Sequence, residues 1–221
     1  MTALAKTRDS ETGNHICRTQ HYVLALSMAL QTHPRFSHFL TNRNIEILFK
    51  SAPLHDIGKV GIPDRILLKP GSFDASEMEI MKTHTTLGRD AIQYAERLLE
   101  HGLDFLTIAK QIAYSHHEKW DGSGYPQGLV GDEIPIPALL MAVADVYDTI
   151  ISRRVYKPGM PHLRAVDIIM TKGHHFDPDI VDAFLSILDE FKAISRQFPD
   201  ADGAMQEQVD SAALSMEAVD D

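Results

Sequence analysis

HHEKWDGSGYP, residues 116–126, places two adjacent histidines and a glutamate ahead of a glycine-rich loop that ends in proline. Adjacent side chains on a helix point about 100° apart, so His116 and His117 cannot both lie on one apolar stripe. Two imidazoles lie at a helix end, point in different directions and are followed by a sharp turn. This pattern indicates a polar functional site at that helix end. The turn can fold the loop over the mouth of such a site.

The composition is typical of an ordinary globular protein, with 44% hydrophobic and 24% charged residues in a chain of 221. The sequence has no run of 18 apolar residues and no basic-then-apolar leader, so we expect neither a membrane span nor export. The single cysteine, Cys17, excludes an internal disulfide and is typical of a reducing compartment. The expected location is therefore the cytoplasm.

The net charge of −10 is concentrated near the C-terminal end, where residues 197–221 hold seven acids and no Lys or Arg. The rest of the chain is close to neutral and has no basic stripe, which argues against binding to extended nucleic acid. A small anionic ligand would then need a local source of positive charge, such as bound metal ions.

The hydrophobic pattern predicts an almost entirely helical chain without useful β-strands or internal repeats. Asp74 with Glu77 three residues later matches a capping box, and Asp177 followed by Pro178 is typical of a helix start. The predicted helical segments are 15–31, 44–54, 74–84, 104–117, 137–152, 162–170 and 177–191.

We expect residues 11–196 to form one catalytic domain. Residues 1–10 are interpreted as a linker or extension, such as would remain from an upstream regulatory domain. Residues 197–221 are acidic and rich in small residues, which predicts a poorly ordered tail.

Several histidines and acids share the chemistry of metal ligands. Glu11 stands four residues before His15, which puts both side chains on one helical face. Asp145 lies in an apolar segment, where an unpaired carboxylate would be costly to bury. The full set of candidates is Glu11, His15, His55, Asp56, His84, His116, His117 and Asp145.

Each of these residues has an ordinary explanation when it is taken alone. A single histidine on a helix is usually packed or solvent-exposed, and Asp145 could cap a neighbouring helix or pair with Arg153. Together, imidazoles and carboxylates from several helices match the donors that first-row transition metals prefer, with carboxylates able to bridge ions. One ion needs about four to six ligands, so eight candidates suit two or three ions.

Three motifs resemble the HD-GYP family of metal-dependent cyclic di-GMP phosphodiesterases: HDIGKVGIPD at 55–64, HHEKWDGSGYP, and VADVYD at 143–148. The resemblance covers roughly residues 8–195. It implies an all-α, HD-type helical bundle enclosing a multinuclear metal site, with iron as the expected metal and manganese as the alternative. Residue by residue, it makes all eight candidates metal ligands, and the presence of Glu11 favours three ions over two.

The resemblance also implies a reaction, the hydrolysis of cyclic di-GMP to linear pGpG, with GMP as a further product. The nucleophile would be a hydroxide that bridges two metal ions. We expect Asp56 to bridge the ions and Lys59 to place its ammonium against a phosphate oxygen. Arg154 and Lys157 correspond to the residues that grip the dinucleotide phosphates, although Val155 stands where the family usually has proline.

Other polar residues receive supporting roles. The loop after His117, which contains Gly122, Gly124 and Pro126, is called the GYP loop. Tyr125 is expected to shape this loop and to contact substrate or a partner protein, rather than to perform chemistry. Glu118 and Asp148 are expected to orient metal ligands. The pair His174 and His175 receives no role.

Alternative functions stay open. The departure at Val155 favours the same chemistry with a preference for linear pGpG or another cyclic dinucleotide. The domain could instead be a non-catalytic signalling module that acts through the GYP loop. For the oligomeric state, a homodimer is one option. A nucleotide phosphohydrolase with one metal would leave His84, His116 and His117 without a role.

Overall fold

The computed structural model describes residues 13–99, 104–152 and 159–199. Helices dominate these ranges, and 3-10 turns lie at Ala52–Leu54, Ile57–Gly61, Gly131–Glu133 and Gly173–His175. The helices are α1 (Gly13–Ala29), α2 (Asn42–Ser51), α3 (Asp64–Leu67), α4 (Ala75–Lys82), α5 (His84–Leu98), α6 (Asp104–Ser115), α7 (Ile136–Ile151), α8 (His162–Thr171), α9 (Pro178–Ser186) and α10 (Leu188–Gln197).

The prediction of an all-α fold is confirmed. The described ranges contain no β-strand, and their one isolated bridge pairs Asp121 with Val130 in the GYP loop. None of the described helices is both long and apolar enough to cross a lipid bilayer.

Two predicted helix starts are confirmed in detail. The Asp74 side chain accepts a hydrogen bond from the Glu77 amide, and the Glu77 side chain accepts one from the Asp74 amide. Asp177 accepts hydrogen bonds from the amides of Asp179 and Ile180 at the start of α9. These bonds satisfy amides that a helix leaves without internal partners.

Helix α7 is the central element because most of its residues are buried, including Tyr147. Helices α1, α6 and α8 pack against it. Tyr147 meets Tyr22 edge-on, with ring centroids 5.2 Å apart, and Tyr22 stacks on Phe191 of α10 at 4.4 Å. This aromatic packing fixes α1 against α7, and each of these two helices carries predicted site residues.

Two parts of the helix prediction were wrong. Helix α5 was missed beyond His84, because Thr85, Thr86 and Gly88 have low helix propensity and its pairing with α6 is a tertiary effect. The segment 177–191 was treated as one helix. It breaks at Ile187, whose backbone angles of φ −123° and ψ 28° lie outside the helical range.

Gly58 allows the turn that follows His55 and Asp56 to lie directly on α5. A Cβ atom at Gly58 would stand 1.9 Å from the carbonyl oxygen of His84 and 2.5 Å from the amide nitrogen of Gly88. Both neighbours are backbone atoms, so they cannot move aside as a side chain could.

Replacing Gly58 by alanine is expected to lower the free energy of unfolding by about 3 kcal/mol, because the turn must separate from α5. Chemical denaturation measures this loss. Gly61→Ala is the matched control, since its new Cβ would meet only the flexible side chain of Leu87 at 3.0 Å. That change is expected to cost less than about 1 kcal/mol. Equal losses in the two variants would contradict the close-approach argument.

Candidate metal centre

Seven of the eight predicted ligands meet in two adjacent clusters; the eighth, Glu11, lies outside the described residues. The Asp56 cluster consists of Asp56, His84, His116 and His117, and the His15 cluster of His15, His55 and Asp145. Within each cluster, one potential ligand atom per residue lies within 4.8 Å of the others. The histidine pair that begins the GYP motif therefore approaches one cluster from two directions, rather than serving two clusters.

Asp56 lies between the two clusters and presents one carboxylate oxygen to each. Its Oδ1 atom is 3.2 Å from His84 Nε2 and 3.6 Å from His116 Nε2. Its Oδ2 atom is 3.2 Å from His55 Nε2, which in turn lies 3.3 Å from His15 Nε2. The clusters are thus parts of one continuous centre.

The outer ring nitrogens hold the imidazoles in place. Since a carbonyl oxygen can only accept, each bonded Nδ1 carries the proton, and the lone pair of Nε2 faces the centre. The Nδ1–oxygen distances are 3.0 Å for His55 to Ala52, 2.8 Å for His84 to Met81 and 3.0 Å for His116 to Ile112.

The ring nitrogens and the carboxylate oxygen that face the inside of the centre are the atoms that a bound cation would satisfy. Among the described residues, Asp56 Oδ1, His84 Nε2 and His116 Nε2 are buried and have no hydrogen-bond partner. Leaving such atoms unpaired is costly, and native proteins rarely do so without a bound ion or water. Imidazole nitrogens and carboxylate oxygens are donors for divalent transition metals, so the residues present fit a metal centre.

Electrostatics keep the donors in their metal-binding forms. Burial alone would raise the pKa of Asp56, but the Lys59 ammonium and the neighbouring His55 and His116 rings outweigh it and hold that pKa well below its usual value. Lys59 Nζ lies 2.7 Å from Asp56 Oδ2. Burial, helped by His116 and His84, lowers the pKa of His117. Asp56 is therefore anionic and His117 neutral near pH 7.

Residues 9–180 match the HD domain family. The chain belongs to the HD domain family. It is 54% identical over 202 residues to a cyclic di-GMP phosphodiesterase of Vibrio cholerae, covering 91% of this chain and 41% of that protein. It is 52% identical to a probable cyclic di-GMP phosphodiesterase of the same organism, covering 93% of this chain and 47% of the other. The chain thus spans less than half the length of these relatives.

Two further matches extend the comparison. A Vibrio cholerae protein named 3'3'-cGAMP-specific phosphodiesterase 2 is 39% identical, covering 88% of this chain and 35% of the relative. A solved HDG"Y"P protein from Bdellovibrio bacteriovorus superposes with a TM-score of 0.57 at 20% identity, covering 85% of this chain and 56% of that one. The structural match confirms the HD-type fold, and the relatives confirm the resemblance that the motifs predicted. Membership of the HD domain family implies divalent metal binding.

In this HD domain, a buried charge network holds His15. His15 Nδ1 lies 2.8 Å from Asp148 Oδ2, and Asp148 also accepts hydrogen bonds from Arg18 Nε at 2.6 Å and Nη2 at 2.9 Å. Arg18 further donates to Ser152 Oγ and to the carbonyl of Phe198, both at 2.7 Å. Asp148 therefore stands where it can orient a ligand, as expected from the sequence.

Sequence reasoning missed Arg18. Its spacing of three residues from His15, which puts both side chains on one helical face, was the available signal. His15 and Arg18 in fact share Asp148 as their partner. Arg18 thus supports the His15 cluster without being part of it.

The GYP loop of the HD domain is fastened by Glu118. The buried carboxylate accepts hydrogen bonds from the amides of Gln127 at 2.7 Å and Leu129 at 3.0 Å. Both oxygens thus accept hydrogen bonds from loop amides, so the described contacts of Glu118 fasten the loop, and its role in orienting a ligand stays a prediction. Tyr125 lies over the centre, with its ring stacked on His117 at a centroid distance of 4.9 Å.

Other predicted features lie outside the described residues. They are the substrate contacts Arg154 and Lys157, the extension 1–10, and all of the acidic tail beyond residue 199.

Proposed function

We propose that this HD domain hydrolyses a phosphodiester bond of cyclic di-GMP to give linear pGpG, with GMP as a further product. The observation that carries the proposal is the pair of clusters joined through Asp56, whose two oxygens face different sets of imidazoles. The relatives at 54% and 52% identity, one named a cyclic di-GMP phosphodiesterase and the other a probable one, support the choice of substrate.

The metals that we assign to the centre are iron ions, with manganese as the alternative. The Asp56 and His15 clusters offer places for two ions, and Glu11 would add a ligand for a third. The mixture of imidazole and carboxylate donors on helices supports this assignment. Bound divalent ions lower the pKa of coordinated water and offset the charge of the phosphate.

The chain's own side chains would position and enclose the substrate. Asp56 would bridge the two metal sites. The ammonium of Lys59, now at Asp56, lies at the edge of the centre, where it can donate to a non-bridging phosphate oxygen. Tyr125 covers one side of His117 and restricts water there. On the strength of the motif, we assign the more distant phosphate contacts to Arg154 and Lys157.

Iron-loaded protein, purified without oxygen, is expected to convert cyclic di-GMP to pGpG. Chromatography of the nucleotides follows the reaction, and metal analysis of the same sample gives the ions per chain. A control sample treated with a chelator should be inactive until iron is restored. Protein that carries its full metal content and still leaves cyclic di-GMP intact would refute the proposal.

A second candidate substrate is 3'3'-cGAMP. A relative at 39% identity is named as specific for 3'3'-cGAMP. In addition, Val155 stands where the family usually has proline. Competition between equal concentrations of cyclic di-GMP, 3'3'-cGAMP and pGpG measures the preference directly. We expect cyclic di-GMP to be consumed first, because the relatives of higher identity are named for it.

A further inference from the structure

Asp121, His174 and His175 form a third cluster of metal-binding side chains, separate from the centre. One potential ligand atom from each lies within 4.8 Å of the others. Asp121 begins the glycine-rich part of the GYP loop, whereas the two histidines lie in the 3-10 turn that precedes α9. More than fifty residues of chain separate the two parts, so the cluster depends on tertiary structure.

Local bonds aim these side chains at one another. The Trp120 amide donates to the carbonyl oxygen of His175 at 2.9 Å, which joins the loop to the turn. Asp121 Oδ1 accepts from the amide of Ser123 at 2.9 Å and from its hydroxyl at 2.7 Å. The other oxygen, Oδ2, is thereby turned toward His174, with 3.8 Å to its Nε2 atom.

Arg35 holds the surroundings of this cluster together. Its guanidinium lies 2.9 Å from Asp132 in the loop and 2.6 Å from Asp179 at the start of α9, and it also pairs with the buried Asp177. The same group lies 4.9 Å from the ring centre of Trp120. These contacts hold the loop and the turn close to each other before any ligand arrives, which reduces the entropic cost of binding an ion between them.

We propose that Asp121, His174 and His175 bind one late transition-metal ion, of the zinc, nickel or cobalt class. Two imidazole nitrogens and one carboxylate oxygen supply three ligands, and solvent completes the coordination. Magnesium and calcium are disfavoured, because they require several oxygen ligands and the site offers one carboxylate.

An ion at this site ties the base of the GYP loop to the turn before α9. The loop begins immediately after His116 and His117, so the peripheral ion stiffens the segment that covers the Asp56 cluster. The loop therefore responds to metals other than those of the centre. His174 is 63% exposed, which leaves the site open to solvent and its ion exchangeable.

The chain contains a single tryptophan, Trp120, next to Asp121, and this provides the test. Nickel titrated into protein whose centre already carries its metals is expected to quench Trp120 fluorescence with saturation at one ion per chain. His174→Gln and Asp121→Asn should each raise the nickel concentration at half-quenching by at least about tenfold. Magnesium should leave the fluorescence unchanged. His38→Gln, which alters an exposed histidine outside the cluster, should titrate like the wild type.

Equilibrium dialysis checks the count: each site variant should lose one nickel ion per chain while the metal content of the centre is unchanged. Wild-type titration curves for both variants, or an equal weakening in His38→Gln, would overturn the proposal. Asp121→Asn keeps an acceptor for Ser123, so the loop can still form. The readouts do not involve hydrolysis, so their failure is distinct from a failure of the proposed function.

Discussion

Replacing Asp56 by alanine is expected to abolish hydrolysis, with a fall in kcat/KM of at least about 10³-fold. No other described side chain has oxygens facing both His84 Nε2 and His55 Nε2, each at 3.2 Å. The substitution removes a metal donor from both clusters. It also removes the carboxylate that lies 2.7 Å from the Lys59 ammonium. The electrostatic stabilisation of a dianionic substrate should then weaken sharply.

Metal analysis and nucleotide chromatography on the same preparation separate the two effects of Asp56→Ala. We expect at least one ion per chain to be lost together with activity. Asp90→Ala is the matched control, because Asp90 is an exposed carboxylate on α5 that belongs to neither cluster. If Asp56→Ala retained activity within tenfold of the wild type, the bridging role would be wrong. Lost activity with full metal content would limit Asp56 to positioning.

Features of the fold that depend on neighbouring residues in the sequence could be predicted. The capping box at Asp74 and the proline start at Asp177 are local patterns, so the sequence contains them completely. Likewise, the all-α class follows from a hydrophobic period that repeats over seven segments. The convergence of His15, His55 and Asp145 could be expected from ligand chemistry and family motifs, but periodicity alone did not imply it.

Features that depend on tertiary packing could not be predicted. Helix α5 contains Gly88, which lowers helix propensity, and the reason for this glycine is a close approach to the Gly58 amide on another segment. The cluster of Asp121 with His174 and His175 could not be predicted either, because no residue near the histidine pair in the sequence indicates a metal site. Arg18 was missed because its role depends on Asp148, which the chain supplies 130 residues later.

Replacing Arg18 by alanine is expected to lower the free energy of unfolding by about 3–5 kcal/mol, because a buried carboxylate loses its cationic partner and keeps hydrogen bonds to His15 and the Ser152 hydroxyl. Asp148 is fully buried, and Arg18 contacts both of its oxygens. Burial would raise the pKa of Asp148, but His15 and Arg18 outweigh it and hold that pKa below its usual value. A lowered pKa contributes stability above the unfolded pKa of about 3.8, and that stability is lost as the pH falls.

Because the Asp148 pKa is lowered, the loss of unfolding free energy in Arg18→Ala is expected to depend on pH. Without Arg18 the lowering of the Asp148 pKa is reduced, so the difference in unfolding free energy from the wild type should be full at pH 7 and shrink below about pH 4. Denaturation of metal-free protein at several pH values measures it. Arg43→Ala is the matched control: its ion pair with Asp104 is also short, at 2.6 Å, but both side chains are mostly exposed. That pair should contribute less than about 1 kcal/mol.

The metal centre provides an independent readout of the same network. Asp148→Asn keeps an acceptor for His15 but removes the charge that strengthens its hydrogen bond, so metal affinity at the His15 cluster should fall about 10–100-fold. The Asp56 cluster should keep its ion, because its histidines bond to carbonyl oxygens of Met81 and Ile112 instead. Loss of one ion with retention of the other would show that the two clusters are supported separately. Loss of both in step would mean that Asp148 stabilises the whole centre, and the specific orienting role would then be wrong.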